Sequence, residues 1–301
     1  MSNPSQAITA PAQPATKTPL IVISLLVVDS LHFIFAKLLS GYLPPATAAM
    51  FVMAIAAIEV TLFALVRGVG IRFDIFRRYM WFFLSIGVLI ASSTSLNYLA
   101  VTFIDPGMAA LLAKTSVLLG LGFGLIWLRE QLARAEILGA LVAIVGVFIV
   151  AFQPGDYLRL GSLIVIGSML LYTFHTALVK RYGGEMDLIT FFIFRLASTT
   201  GFLFFFNLAS GGLVWPSPSA WLILALVGTV DIVISRGLYY LALRYLRLSL
   251  HSLILTLSPV LAIIWALWLF DAIPSLQQLL GGLAVLAGIL VITANKTKTI
   301  R

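Results

Sequence analysis

Leu96-Asn97-Tyr98-Leu99-Ala100 returns 142 residues later as Leu238-Tyr239-Tyr240-Leu241-Ala242. Outward from that stretch the same register persists. Trp127-Leu128-Arg129-Glu130 matches Trp268-Leu269-Phe270-Asp271, Gly139 and Gly146 match Gly281 and Gly288, and His32 and Lys37 match His175 and Lys180. The spacing stays between 141 and 143 residues, so one unit is written twice across most of the chain. If each unit crosses a membrane an odd number of times, the second copy enters from the opposite face. Inverted repeats of that kind are the architecture of many secondary transporters, with the binding site between the repeats near the bilayer midplane.

Composition supports the membrane. The chain is 61% apolar and 10% charged, against roughly 45–50% and about 25% in soluble domains. The absence of cysteine excludes disulfides, thiolate metal sites and cysteine nucleophiles. A net charge of +8 follows from topology and carries no implication of nucleic acid.

Ten stretches approach the ~20 apolar residues that a membrane helix needs: 20–39, 46–66, 80–100, 106–128, 137–152, 160–180, 188–208, 219–242, 249–269 and 277–294. Turn residues separate them, among them Pro44-Pro45, Asp105-Pro106, Pro154-Gly155, Gly183-Gly184 and Gly211-Gly212. No room remains for an appended catalytic module. With a cytoplasmic N-terminus, fourteen Lys and Arg residues fall inside and only Arg159 falls in an outer loop. Lys37, Lys114, Arg195 and Arg236 remain within spans. Such an imbalance is what the positive-inside rule requires, and shifting the count by one span destroys it. The expected fold is therefore an all-α integral membrane protein of ten transmembrane helices, arranged as two inverted five-helix repeats. Residues 1–19 form a disordered cytoplasmic tail, 20–152 the first repeat, 160–294 the second and 295–301 a second cytoplasmic tail. The run from Leu20 is as long as a true span and no cleavage site follows it, so it reads as a helix and not as a signal peptide.

The run Asn97-Tyr98-Leu99-Ala100, the small-residue helix through Ser116, Trp127-Leu128-Arg129-Glu130-Gln131-Leu132, then Gly139 and Gly146, resembles the repeated unit of the EamA family in the drug/metabolite transporter superfamily. Ser258-Pro259-Val260, Asp271, Ile273, Gly281 and Gly288 give the second copy. Asp271 stands where Glu is usual, and the first span lacks an early Trp-Gly pair. The resemblance implies a ten-helix carrier of the inner cell membrane with a central cavity, exporting amino acids or other small metabolites.

Charge within a bilayer is costly, roughly 2.5–3.5 kcal/mol per group on insertion scales, and marks functional sites by default. Asp29 and His32 lie three apart on one helical face, a spacing that makes them a local pair, which either exchanges protons or only fixes helix packing. Glu59, near the centre of span two, either carries a proton or is bonded to a neighbouring helix. Lys114 in span four either attracts a substrate anion or neutralises Asp29 or Glu59. His175 mirrors His32 across the repeat. Arg195 and Arg236 offer planar forks to an anion, or join Asp231 in structural pairs, Asp231 with Arg195 among them. Asn97 and Tyr98 come from a polar run in span three that lines a cavity or serves helix packing. Tyr239 and Trp265 are placed to line the cavity, while Trp81, Trp127 and Trp268 suit interface anchors. Pro259 removes a helix bond in span nine and bends it, as a gate or hinge or as a fixed feature. Lys37 and Lys180 lie near helix ends, where they snorkel.

The function that follows is a secondary carrier of small metabolites, amino acids first, working by alternating access. Its partners are the bilayer and a small-molecule substrate; the titratable set Asp29, His32, Glu59 and His175 leaves both proton coupling and uncoupled facilitated export open, and a homodimer is open to it. No cofactor or metal is expected, and no phosphate-binding loop supports ATP coupling. Two other classes stand beside it. A channel or sensor would give flux without saturation or counterflow. An intramembrane hydrolase would use a serine with His32 or His175, but no nucleophile motif supports it.

Overall fold

The computed structural model describes residues 18–126, 133–153, 157, 158, 160–182, 186–239, 255 and 257–299. The tail through Lys17, the Trp127–Leu132 motif with Arg129 and Glu130, Pro154-Gly155, Arg159, Gly183-Gly184, Tyr240-Leu241-Ala242, Arg244 and Arg247 lie outside these residues.

Helix occupies each of the ten expected ranges, in whole or in part. In order these are α1 (Thr18–Ser30) with α2 (His32–Leu39), α3 (Pro45–Val66), α5 (Met80–Ala100), α6 (Pro106–Leu112) with α7 (Thr115–Ile126), α8 (Arg134–Ala151), α9 (Leu160–Tyr182), α10 (Leu188–Ala209), α11 (Pro218–Val227), α12 (Ser258–Phe270) and α13 (Leu276–Thr299). A short α4 (Phe73–Arg78) precedes α5. Beyond α11 the chain continues through a π-helical segment, Gly228–Ile234, so that the whole helix runs Pro218–Tyr239. Among the described residues five helices are long and apolar enough to cross a membrane: Pro45–Val66, Met80–Ala100, Leu160–Val179, Leu188–Ala209 and Pro218–Tyr239. The apolar helices Pro106–Gly120, Ser258–Phe270 and Leu276–Ile292 are shorter. The one strand pairing among the described residues joins Phe152–Gln153 to Tyr157–Leu158, antiparallel, in the link between the repeats.

Local chemistry sets the helix starts. Pro45, Pro106 and Pro218 occupy the first turn, where a missing N–H costs no bond. Asp105 accepts from Met108 N, Asp187 from Thr190 N and Ser217 from Ala220 N, each satisfying one orphan donor. The outward surface is apolar, with Val66, Leu222, Trp215 and Trp268 among the most exposed side chains, as a lipid-facing surface requires.

The packing is nearly its own mirror. α3 lies on α10, α6 on α12 and α8 on α13, so spans two, four and five each touch their own repeat copy. α5 lies on α9, and α1 on the π-helical segment, which are again equivalent contacts between spans three and six, and eight and one. The repeated glycines sit where this symmetry brings backbones together. A Cβ on Gly139 would stand 2.7 Å from Gly288 O, and one on Gly146 would stand 2.7 Å from Gly281 O. Only residues without a side chain allow α8 and α13 to approach so closely.

Candidate functional site

Four spans lose their regular form partway along. The helix of span one is interrupted at Leu31, whose N–H bonds back only three residues to Val28 O at 3.1 Å. Span four breaks at Ala113-Lys114, between α6 and α7. Span eight carries the π-helical segment. In span nine, Leu257 is a turn residue and α12 begins at Ser258. Irregular backbone at membrane depth is tolerated where it is buried in protein or lines a cavity, and π segments recur at functional sites.

His32, Lys114 and Asp231 stand at those interruptions. His32 opens α2, and its Nδ1 lies 2.8 Å from Oδ2 of Asp231 in the π segment. The Asp231 side chain is wholly buried and that of His32 is 18% exposed. This contact joins residues 199 apart and links the two repeats. The local Asp29–His32 pair expected from helical spacing is not the one formed, because the helix is interrupted between them and a buried carboxylate from span eight takes the imidazole. Asp231 is likewise held by His32 and not by Arg195. The phenol of Tyr98, 1% exposed on α5, completes this corner, with its ring 6.2 Å from that of His32. The Tyr98 hydroxyl, Asp231 Oδ1 and the Ser235 hydroxyl are all buried without a hydrogen-bond partner among the described residues.

Lys114, at the break in span four, donates to Ser258 Oγ at 3.2 Å, at the start of α12. Asp29 and Arg236 both act electrostatically on it, so the described residues surround this cation with one acid and one further base but no salt-bridged carboxylate. Trp265 Nε1 donates to Ser30 Oγ at 3.0 Å, and Ser30 in turn donates to Val27 O at 2.6 Å, bracing the interruption in span one from span nine. Glu59 accepts from Thr229 Oγ1 at 2.7 Å. That is the neighbouring-helix bond, and it anchors the π segment to α3. Gly228 allows this approach, since a Cβ there would stand 2.9 Å from Ile55.

The remaining candidates divide. His175, which is buried beside Tyr172, feels the charges of Arg195 and Arg236. Arg195 is buried on α10 with its guanidinium 5.5 Å from the Phe192 ring. Asn97 is buried on α5, and Tyr239 closes the described part of span eight. Pro259 stands in the first turn of α12, where a missing N–H is tolerated, and the turn residue Leu257 lies just before that helix. Glu130 is outside the described residues, and Asp271 caps α12 in a left-handed conformation with φ 50°, which suits a loop-fixing role. Thr229, Ser30, Ser235 and Ser258 do not stand out as site residues in the sequence. Only Ser258 carries a signal there, as part of the Ser-Pro motif. Among the described residues no group of three or more His, Cys, Asp or Glu is placed to hold a metal ion.

The family model of the EamA-like transporter family matches residues 17–152 and again 159–294. An uncharacterized transporter of Bacillus subtilis strain 168, YdfC, is 28% identical over 198 residues. That match covers 62% of this chain and 62% of the relative, so the chain spans less than two thirds of the curated relative's length. A solved crystal structure, described only as that of a protein, superposes with a TM-score of 0.66 at 21% identity, covering 93% of this chain and 98% of the other. That likeness speaks for the fold alone.

Proposed function

This chain belongs to the EamA-like transporter family, and on that premise we propose that it is a secondary carrier of a small zwitterionic metabolite, an amino acid first, working by alternating access. One observation carries the reading: at the interruptions in spans one, four, eight and nine, His32 meets Asp231 and Lys114 meets Ser258, each pair joining one repeat to the other. An α-carboxylate suits Lys114 and the Ser258 hydroxyl bonded to it. An ammonium group suits Asp29 or Asp231. Arg195, Arg236, Asn97, Tyr239 and His175 belong to the walls of the same space on this reading, and Glu59 to its support.

The reading further takes all ten helical ranges as crossings, both termini as cytoplasmic, the inner cell membrane as location, export as direction and 20–152 and 160–294 as the two units. Rocking of one repeat on the other would then expose the centre alternately. A hydrolase has less support, because no serine hydroxyl among the described residues bonds to His32 or His175.

Counterflow tests the carrier. Proteoliposomes preloaded with unlabelled amino acids are diluted into labelled ones at several pH values. Transient accumulation of label is expected. Unsaturable flux without counterflow would replace the carrier with a channel, and no flux through folded, inserted protein would remove amino acids as the substrate class.

A further inference from the structure

The packing around the centre is symmetric, but its chemistry is not. Span eight packs on span one as span three packs on span six. At the second of these contacts the repeat places His175 opposite Leu89, the residue in register with Asp231. What bonds there is Ser93 with Ser168, at 2.9 Å, both buried. Ser93 is in register with Ser235, which is buried close to Asp231 in sequence and has no partner among the described residues. The fold therefore needs a helix contact at this place but not an acid. Asp231 is an addition to it.

We infer that Asp231, shared with His32 and flanked by the Tyr98 and Ser235 hydroxyls, is the binding site of the coupling proton. The inference rests on the carrier reading and deepens it. The carboxylate side chain has no exposed surface, and among the described residues only one of its oxygens is bonded. A bare carboxylate held in that way is disfavoured in a low-dielectric site. With one proton shared between imidazole and carboxylate the pair carries no net charge; without it the pair carries −1. Adding or removing this proton therefore changes the charge held where two repeats meet, and any rocking of the repeats must open or close the same 2.8 Å contact. Proton and conformation are linked through one bond.

The charged and titratable groups facing the pair come from every element packed on it. Tyr98 faces it from α5, Asp29 lies on α1, and Arg236 follows on its own helix and acts on Asp231. Glu59 of α3 is tied to Thr229 in the same π segment, and Lys114 is coupled through Asp29 and Arg236. Of the acids, Asp29 is set toward Lys114 and Glu59 already accepts a hydroxyl, while Asp231 alone is wholly buried with an unbonded oxygen and bridges the repeats.

The test needs no substrate. Infrared difference spectra of the purified full chain are recorded in nanodiscs as the pH is stepped, following the carbonyl stretch of a protonated, buried carboxyl. The wild type and Asp74→Asn, altered at an exposed position of the short helix α4, are expected to show a titrating band. Asp231→Asn loses it, and His32→Asn shifts its midpoint without abolishing it. Thermal unfolding of each variant guards against misfolding, and the His32→Asn shift serves if Asp231→Asn does not fold. Persistence of the same band in Asp231→Asn, or an unmoved midpoint in His32→Asn, overturns the assignment. In proteoliposomes an imposed pH gradient should drive accumulation of labelled amino acids in the wild type and not in Asp231→Asn; retained drive in the variant also overturns it. Absence of counterflow in the wild type strikes the carrier reading instead, and the spectra still decide whether Asp231 binds a proton.

Discussion

Hydrogen bonds at the interrupted helices join named side chains, so single substitutions can test them. Trp265 reaches Ser30 with its indole N–H at 3.0 Å, and the hydroxyl it meets is already turned toward Val27 O. Trp265→Phe keeps most of the ring and removes that donor. A cross-helix bond in a membrane averages about 0.6 kcal/mol, so a loss of about that size is expected in a reversible unfolding titration. A loss several times larger would mean that Trp265 supports the interruption by packing and not by its bond. Thr229→Val is the companion case. It removes the 2.7 Å bond to Glu59 while retaining shape, and about the same loss is expected. Because Glu59 then keeps a carboxylate in the membrane without that donor, Thr229→Val combined with Glu59→Gln should be less destabilised than the sum of the two. Strict additivity would show that the two side chains do not support each other.

Elements explain what the sequence revealed and what it hid. The ten ranges were legible because hydropathy averages over a whole span, and one misplaced residue does not change the average. The interruptions were illegible for the same reason: Leu31 and Ala113 are ordinary apolar residues, and nothing in Gly228–Ile234 distinguishes a π turn from an α turn. Helical spacing proposed Asp29 for His32 because only local neighbours can be read from periodicity, whereas the partner is 199 residues away. The repeated glycines were visible as a pattern, and their cause is visible only in the crossing of α8 and α13. Gly146→Leu tests that cause. Its Cβ alone would meet Val285 N at 2.6 Å, with backbone that cannot step aside, so a loss at or above the ~1–3 kcal/mol typical of overpacking is expected. Gly167→Leu, on α9 where a Cβ would meet nothing within 4 Å, should leave the melting temperature close to wild type. Similar losses at both sites would make the effect one of helix propensity. Outside the spans, α4 is tied locally: the Arg72 guanidinium bonded to Asp74 at 3.1 Å holds that carboxyl below its ordinary value of 3.8. A depressed carboxyl stabilises the fold above its unfolded value and loses that contribution only as the pH falls through the folded one. The Asp74 side chain is exposed and screened, so Asp74→Asn should lose only a small contribution at neutral pH, and the difference from wild type should vanish in strongly acid solution, where the wild type has lost it too.

At the scale of the molecule the repeat makes one demand that no local contact makes, namely that corresponding loops lie on opposite faces. Contacts between each of spans two, four and five and its own copy are what a twofold axis through the centre gives, and an axis lying in the membrane plane exchanges the two faces. On the proposed topology the loop ahead of α5, with Arg67, Arg72, Arg77 and Arg78, is the cytoplasmic one, and its copy ahead of α11, with Gly211-Gly212 and Trp215, the outer one. The lack of native cysteine makes this directly measurable, since any introduced thiol is the sole one present. In intact cells a membrane-impermeant maleimide should label Leu213→Cys, which replaces an exposed side chain, and should label Asp74→Cys only after the membrane is opened. Equal labelling from one side would place both loops on the same face. Parallel repeats would then replace inverted ones, and the interface that joins His32 to Asp231 could no longer open to the two sides by the same motion.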